Sequence, residues 1–352
     1  MLKILVDITH PAHVHFFKQA IRDWQARGHQ VIITSRDKDL TLRLLDRYGF
    51  HHTMLSQAHK GIVGLGAEML ERGRGLWKIV QDERPMVLTG IGGTFIAPIG
   101  KLTGTPVVVF TDTEHATVSN AIAFPLADAI CTPTCYKGDL GKKQVRYRGY
   151  QELAYLHPKY FKADPAVLNA LNLTLQDRFA ILRFVSWNAS HDIGHIGFTV
   201  EQKMHLIYEL EQEGQVLVSV EGSLPEELER YRLSVAPEKI HDLLYYASLY
   251  VGEGATMATE AGLLGTPSVY VSSLVGTMGN YEELARHGLV EAYRESHRGM
   301  KRAIVLMRDM NAKRERQEAH RRMLREVIDV TAWMVDFVEQ YVQAISGEDV
   351  SK

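Results

Sequence analysis

Short apolar runs recur along the first half of the chain, each followed by a stretch whose apolar positions fall at helical spacing. The strand candidates are Leu2 to Val6, Val31 to Thr34, Met86 to Leu88, Val107 to Phe110 and Ala129 to Cys131, with helices centred near residues 20, 43, 75, 99 and 122. This alternation predicts a parallel sheet covered by helices on both faces. Gly28-His29, ahead of the second run, reads as a helix stop. From Tyr147 to about Asp177 the alternation weakens, with Gly149, Pro158 and Pro165 breaking it, and a linker with one short helix is expected over 151–177. A second series then begins. Its strands are Phe179 to Val185, Val216 to Val220, Leu233 to Val235, Leu249 to Val251 and Ser268 to Val271, and its helices lie near 199–213, 239–247, 257–264 and 280–287. Two α/β series joined by a linker predict two domains, 1–150 and 178–325, facing each other across a cleft.

The end of the chain, from about Met300 to Ile345, is expected to be mostly helical. Its first part carries Lys313, Arg314, Arg316, Arg321, Arg322 and Arg325, and its second part is apolar at helical spacing from Val327 to Ala344. A solvated face is the ordinary reading of such charges, with an anionic membrane or partner surface as the alternative.

At 352 residues the chain is long enough for two cores, and its 45% hydrophobic content is that of a globular protein rather than a disordered one. A net charge of -2 gives no overall attraction to nucleic acid, so none is expected as a partner. The two cysteines, Cys131 and Cys135, lack further ligands at metal spacing and are expected to be free thiols. The chain opens directly on a strand without a leader-like pattern, and no apolar run reaches membrane-spanning length, so a cytoplasmic protein is expected, with peripheral contact to the inner membrane face left open.

Candidate chemistry gathers in loops that follow strands, where ligands bind open parallel sheets. The first is Asp7-Ile8-Thr9-His10-Pro11-Ala12-His13-Val14-His15-Phe16-Phe17. A helix starting near Ala12 points His13 and His15 about 200° apart, so they do not readily share one metal ion, and none is expected. His10 and His15 read as capping or packing residues, His10 also as a substrate contact. His13 is the candidate base or substrate contact, because an imidazole takes protons near neutrality. Gly90-Ile91-Gly92-Gly93-Thr94 is a loop whose N–H groups face an anion or make only a tight turn, with Gly92, Gly93 and Thr94 as candidate substrate contacts. Thr111-Asp112-Thr113-Glu114-His115 offers acid, base or sugar contacts, or helix caps alone, with Asp112 and Glu114 as candidate catalytic carboxylates and His115 as a candidate contact. In the second series Ser186, Asn188 and His191 are candidate substrate contacts.

The most informative segment is Val251 to Pro267, a strand, glycine loop and helix closed by Gly265 and Pro267. Glycines admit a ligand close to the backbone, and the helix start favours phosphate. Gly252, Glu253, Gly254, Ala255, Thr256 and Met257 are therefore the candidate phosphate loop, with Glu260 one turn on as a ribose contact. The alternative is a tight turn with Thr256 as its cap.

The small residues of this loop, followed by Thr259-Glu260-Ala261 and Leu264-Gly265-Thr266-Pro267, resemble the nucleotide-sugar motif of GT-B enzymes. The likeness is to the peptidoglycan lipid-intermediate N-acetylglucosaminyltransferase and to the non-hydrolysing UDP-N-acetylglucosamine 2-epimerases. Taken end to end the chain resembles the domain-of-unknown-function 354 family, grouped with them. The residues that carry this are Asp7 to Phe17, Thr111 to Ala116, Gly149 to Leu156 and Gly252 to Pro267. The resemblance implies a GT-B fold, two Rossmann-like parallel-sheet domains, with a final helix over 326–346 returning to the N-terminal one. It also implies diphosphate on the loop and ribose on Glu260. The expected activity is transfer from a nucleotide sugar, UDP-linked, to a glycan or lipid-linked acceptor in cell-surface polysaccharide or glycoconjugate synthesis, with no cofactor and no obligatory metal. In the epimerases an aspartate follows the glycine that resembles Gly90, and paired acidic residues follow the glutamate that resembles Glu114. Here the chain has Ile91 and Ala116-Thr117-Val118-Ser119-Asn120, so epimerisation is second to transfer. A binding protein that has lost catalysis is third.

Overall fold

A computed structural model describes residues 1–58, 61–184, 197–220 and 222–347. The chain divides into two compact units, Met1–Tyr160 with Ile328–Lys352, and Phe161–Val327.

In the first unit the strands are β1 (Lys3–Ile8), β2 (Gln30–Asp37), β3 (Thr53–Gln57), β4 (Val87–Ile91), β5 (Val107–Phe110), β6 (Ala129–Pro133) and β7 (Gln144–Tyr147). Between and after them run α1 (Pro11–Ala26), α2 (Thr41–Arg47), α3 (Gly61–Glu83), α4 (Ile96–Thr103), α5 (Thr117–Ala123) and α6 (Leu153–Leu156). The sheet order is β3-β2-β1-β4-β5-β6-β7, with every pair parallel. All four residues of β5 are buried, as a strand covered on both faces requires.

The second unit holds α7 (Ala166–Asn169), β8 (Phe179–Phe184), α8 (Val200–Glu211), β9 (Gln215–Val220), α9 (Ile240–Tyr246), β10 (Leu249–Gly252), α10 (Ala255–Leu263), β11 (Ser268–Val271), α11 (Gly279–Arg286), β12 (Val290–Tyr293), α12 (Ser296–Arg308) and α13 (Ala312–Met323). Its parallel sheet has the order β12-β11-β10-β8-β9. Its core joins Ala180, Leu182 and Phe184 of β8 to Leu206, Ile207 and Leu210 of α8 and Leu306 and Met307 of α12.

The last helix, α14 (Val330–Ile345), belongs to the first unit. Asp329 caps it, accepting from the Ala332 N–H at 3.0 Å. Its Trp333 ring lies 4.8 Å from that of Tyr147, and Arg27 beyond the end of α1 pairs with Asp336 at 2.8 Å and Glu339 at 3.0 Å.

Three expectations need correction. Leu233–Val235 is not a strand: Leu233 donates once to Val218 of edge strand β9, at 2.8 Å, and the only bridge there joins Val218 to Arg232. A short 3₁₀ turn over Glu226–Tyr231 delivers the chain at that edge, and Pro237 soon turns it away. The expected linker 151–177 is not one from its start, because Gln151 to Leu156 are buried and α6 packs on α1 and α14. The basic run is not a uniform solvated face either. Lys313 donates to the Tyr245 and Ala247 carbonyls and to Thr266 Oγ1 at 2.5, 2.8 and 2.6 Å, and Arg316 pairs with Glu291 at 2.6 Å, whereas Arg314, Arg321, Arg322 and Arg325 are exposed.

Candidate functional site

Each sheet has a point where the strand order reverses, and there the loops leaving two neighbouring strands part to opposite faces and open a crevice. In the first unit this lies between β1 and β4, so the loops after β1, β4 and β5 share one rim. In the second it lies between β8 and β10, and the Gly252 to Gly254 loop follows β10.

At the first rim His10 is the N-cap of α1, and its Nδ1 accepts from the Ala12 N–H at 3.2 Å. His13 Nδ1 accepts from the Thr9 N–H at 3.3 Å and lies 3.3 Å from Thr9 Oγ1. A main-chain N–H only donates, so in both rings Nδ1 is the lone-pair nitrogen and the neutral imidazole carries its proton on Nε2. Both rings are held neutral. Burial, then Lys38 and, past the opposing pull of Asp39, Arg36 lower the pKa of His10 to about 4. Burial, then His10, Lys38, Arg72 and Arg36 place His13 well below the usual imidazole range. In this tautomer His13 offers an N–H at Nε2, while Nδ1, the nitrogen able to accept a proton, is occupied by Thr9. His15 packs instead, its ring 5.3 Å from that of Tyr155. Asp7 is held by Thr34 Oγ1 at 2.6 Å and by Arg72.

The carboxylates follow β5. Thr113 Oγ1 donates to Asp112 Oδ1 at 3.0 Å, and Asn120 pins the loop by donating to the Thr113 carbonyl at 3.1 Å. Gln151, with its amide oxygen turned to the loop, accepts from the N–H groups of Thr111 and Asp112 at 3.3 Å. Burial raises the Asp112 pKa to about 6, offset in part by the Thr113 hydrogen bond and reinforced by the neighbouring charge of Glu114. Glu114 Oε1 accepts from the Lys137 N–H at 3.2 Å. His115 is exposed.

Of the two readings of the β4 loop, the hydrogen bonds follow the tight turn. Gly92 donates to the Phe110 carbonyl at 2.8 Å and Gly93 to the Ile91 carbonyl at 2.9 Å, so both amides are spent inside the fold. Both glycines have positive φ, and a Cβ on Gly93 meets Val109 Cγ1 at 2.3 Å, which makes this a close-packed turn. Thr94 is half-buried beside it.

In the second unit α10 begins two residues before Met257. Its N-cap is Gly254, with no side-chain cap; Thr256, expected as the cap on the alternative reading, is exposed. The first turn therefore presents its N–H groups without a competing side chain, as anion binding requires. Gly252 ends β10 in a tight place, where a Cβ meets Tyr250 Oη at 2.3 Å, whereas one on Gly254 meets nothing nearer than Arg183 Cγ, at 3.4 Å. The Tyr281 hydroxyl braces the turn by donating to the Ala255 carbonyl. Glu253 does not face the helix start: its Oε1 accepts from the Phe198 N–H at 2.7 Å. Glu260 is buried, with Oε1 2.9 Å from His241 Nε2.

Ser186, Asn188 and His191 lie outside the described residues. Three residues were not anticipated from the sequence. Arg183 runs its stem past Gly254, and its Nη1 donates to Ser219 of β9 at 2.8 Å. His241 orients Glu260, and Lys38 stands near both His10 and His13. Lys38 lies just past the end of a strand, a position that carried the signal; Arg183 and His241 sit in ordinary strand and helix sequence that carried none. Among the described residues no group of three or more His, Cys, Asp or Glu is arranged to hold a metal ion, and no helix is long and apolar enough to cross a membrane.

Comparison with known proteins bears on the fold and the family. An uncharacterised protein of Methanocaldococcus jannaschii is 24% identical over 290 residues, spanning 78% of this chain and 84% of that protein. The UDP-N-acetylglucosamine–N-acetylmuramyl-(pentapeptide) pyrophosphoryl-undecaprenol N-acetylglucosamine transferase of Azotobacter vinelandii is 30% identical over 128 residues, 34% of this chain and 36% of that enzyme. Among solved structures, the UDP-N-acetylglucosamine 2-epimerase of Methanocaldococcus jannaschii superposes with a TM-score of 0.65 at 12% identity, covering 90% of this chain and 98% of that one. Glycosyltransferases share the fold too, so the architecture is GT-B. The family described as protein of unknown function 354 matches residues 2–343, and the chain is a member of that family.

Proposed function

We propose that this protein is a glycosyltransferase that uses a nucleotide sugar, UDP-linked, to extend an acceptor in cell-surface polysaccharide or glycoconjugate synthesis. The observation that carries the reading is the uncapped start of α10 behind Gly252 and Gly254, with the Arg183 stem beside it and Glu260 oriented by His241. That arrangement suits a nucleoside diphosphate: phosphate on the helix start, ribose hydroxyls on the glutamate. Asp112 is the general base, since a carboxyl with a pKa of about 6 is ionised at neutral pH yet basic enough to take a proton. In the transfer the acceptor oxygen bonds to the anomeric carbon and its proton passes to Asp112. The bond from that carbon to the diphosphate breaks, and the leaving charge is met by the N–H groups of α10.

A second reading, sugar-nucleotide 2-epimerisation, is favoured by the proximity of two carboxylates, Asp112 and Glu114. Against it stands Ile91, an apolar side chain at the end of β4 where those enzymes resembling this chain carry an acid. Incubation with a UDP-sugar in deuterated water separates the two. Transfer leaves the C2 proton in place and gives UDP release only when an acceptor glycan or glycolipid is supplied. Deuterium at C2 selects the epimerase, and tight binding without consumption in any acceptor mixture selects a non-catalytic binder.

A further inference from the structure

The first turn of α1 has no main-chain donor left for a ligand. Pro11 lacks one, the Ala12 N–H is on His10 Nδ1, and the His13 N–H is on the His10 carbonyl at 3.0 Å. The two imidazoles take over that role. Each accepts a main-chain N–H on Nδ1 and presents an N–H on Nε2, so the polarity of the helix start is passed outward through the rings. The rings stand 5.9 Å apart and tilted by 47°, near enough for two donors at about 2.9 Å to meet separate oxygens of one group.

Charge supplies the third element. Arg36 is engaged by Glu68 and Arg72 by Asp7, whereas among the described residues no carboxylate forms an ion pair with Lys38, although Asp39 is its chain neighbour. Two neutral donors and one ammonium bind an anion without any group having to gain a proton. Three donors, two at the start of α1 and one just past the end of β2, call for three outward oxygens, which a tetrahedral phosphate has and a planar carboxylate lacks.

From this geometry we infer that His10, His13 and Lys38 form a donor set that receives a phosphate group carried by the acceptor. The inference rests on the acceptor reading of the first unit and narrows the acceptor to phosphate-bearing compounds. His13 is then a binding residue, and proton removal belongs to Asp112 alone.

The test uses the full-length protein labelled with ¹⁵N-histidine and saturated with UDP, so that the second unit is occupied before pyrophosphate is titrated. Long-range ¹H–¹⁵N correlation is expected to show His10 and His13 protonated at Nε2, and both to shift with pyrophosphate. Lys38→Gln and His13→Phe should each weaken pyrophosphate by about tenfold or more, and Asp39→Asn should tighten it. If His13→Phe fails to fold, the surface substitutions still decide the matter. Competition by geranyl diphosphate assigns the group to a lipid-borne acceptor and competition by a hexose 1-phosphate to a soluble one. Competition by neither overturns the inference, as do Nδ1-protonated rings, histidine signals indifferent to pyrophosphate, or unchanged affinity in Lys38→Gln. Pyrophosphate shifts without UDP binding leave the inference standing and reject the nucleotide reading instead.

Discussion

At the scale of single residues, the decisive contrast is between His13 and Asp112. Both sit after strands at one rim, and both are candidate bases by residue type. In His13 the lone-pair nitrogen accepts one main-chain hydrogen bond, while burial raises the Asp112 pKa to about 6, which is why the proposed base is Asp112. Turnover should therefore climb as pH rises through about 6 and then level off, and Asp112→Asn should lower it by about 10² to 10⁴-fold with nucleotide affinity unchanged. Stability should move the other way. Because the folded pKa is raised above the ordinary 3.8, this group's contribution is complete below that value and is lost as pH rises through about 6. Above pH 7 the native state holds a half-buried carboxylate at a cost that asparagine removes. Thermal melts at pH 8 should show Asp112→Asn at least as stable as the parent, and a less stable variant with normal turnover would reject the assignment.

At the scale of elements, the strand-to-helix unit from β10 to α10 separates a close-packed glycine from an open one. A methyl on Gly252 runs into Tyr250 Oη and, at 2.9 Å, the Arg183 carbonyl, and a main-chain atom cannot swing aside. Gly252→Ala should cost about 1–3 kcal/mol. Gly254 has φ −85°, open to any residue, and a methyl there makes only ordinary contact. Gly254→Ala should leave the melting temperature within a few degrees of the parent but crowd the N–H groups of the first turn, so calorimetric titration with UDP should show clearly weaker binding. Equal UDP affinity in the alanine variant would mean the phosphate sits elsewhere. Element by element, the sequence was most legible at the centre of each sheet. Every strand that pattern reading did not anticipate, β3, β7 and β12, is an edge strand. An edge has one hydrogen-bonded neighbour and partial cover, so its apolar pattern is short and mixed: Thr53 and Met54 of β3 and Arg146 of β7 are exposed. The four-residue helix α6 escaped for a related reason, being shorter than two turns and so without a period to detect.

At the scale of the whole molecule, nucleotide binding should appear as mass-action stabilisation. UDP at a hundred times its dissociation constant adds about 2.7 kcal/mol, a shift of several degrees in the unfolding transition of the unit that binds it. Glu260→Gln keeps a hydrogen-bonding partner for His241, so it should melt near the parent without UDP yet lose most of the UDP-induced shift. Glu260→Ala is the poorer probe, since it strips His241 of a buried partner and is expected to destabilise by about 1–3 kcal/mol on its own. A full UDP shift in Glu260→Gln would exclude the ribose contact.

What the sequence determined by itself is the part written in local periodicity and turn chemistry: two parallel α/β series, the central strands, the glycine loop before α10 and the polar loops after β1 and β5. These are legible because buried strands and amphipathic helices each impose a period on neighbouring residues, and because glycine and capping residues mark where the chain turns. The tertiary structure decided the partners. That Gly92 and Gly93 spend their amides on the fold, that Glu253 turns to Phe198 while Glu260 meets His241, that Arg183 reaches Gly254, and that two histidines become donors beside Lys38 all depend on contacts between segments distant in the chain or on the direction of one hydrogen bond. Residue type sets which protons a side chain can exchange; burial and the partner on each atom set which it does.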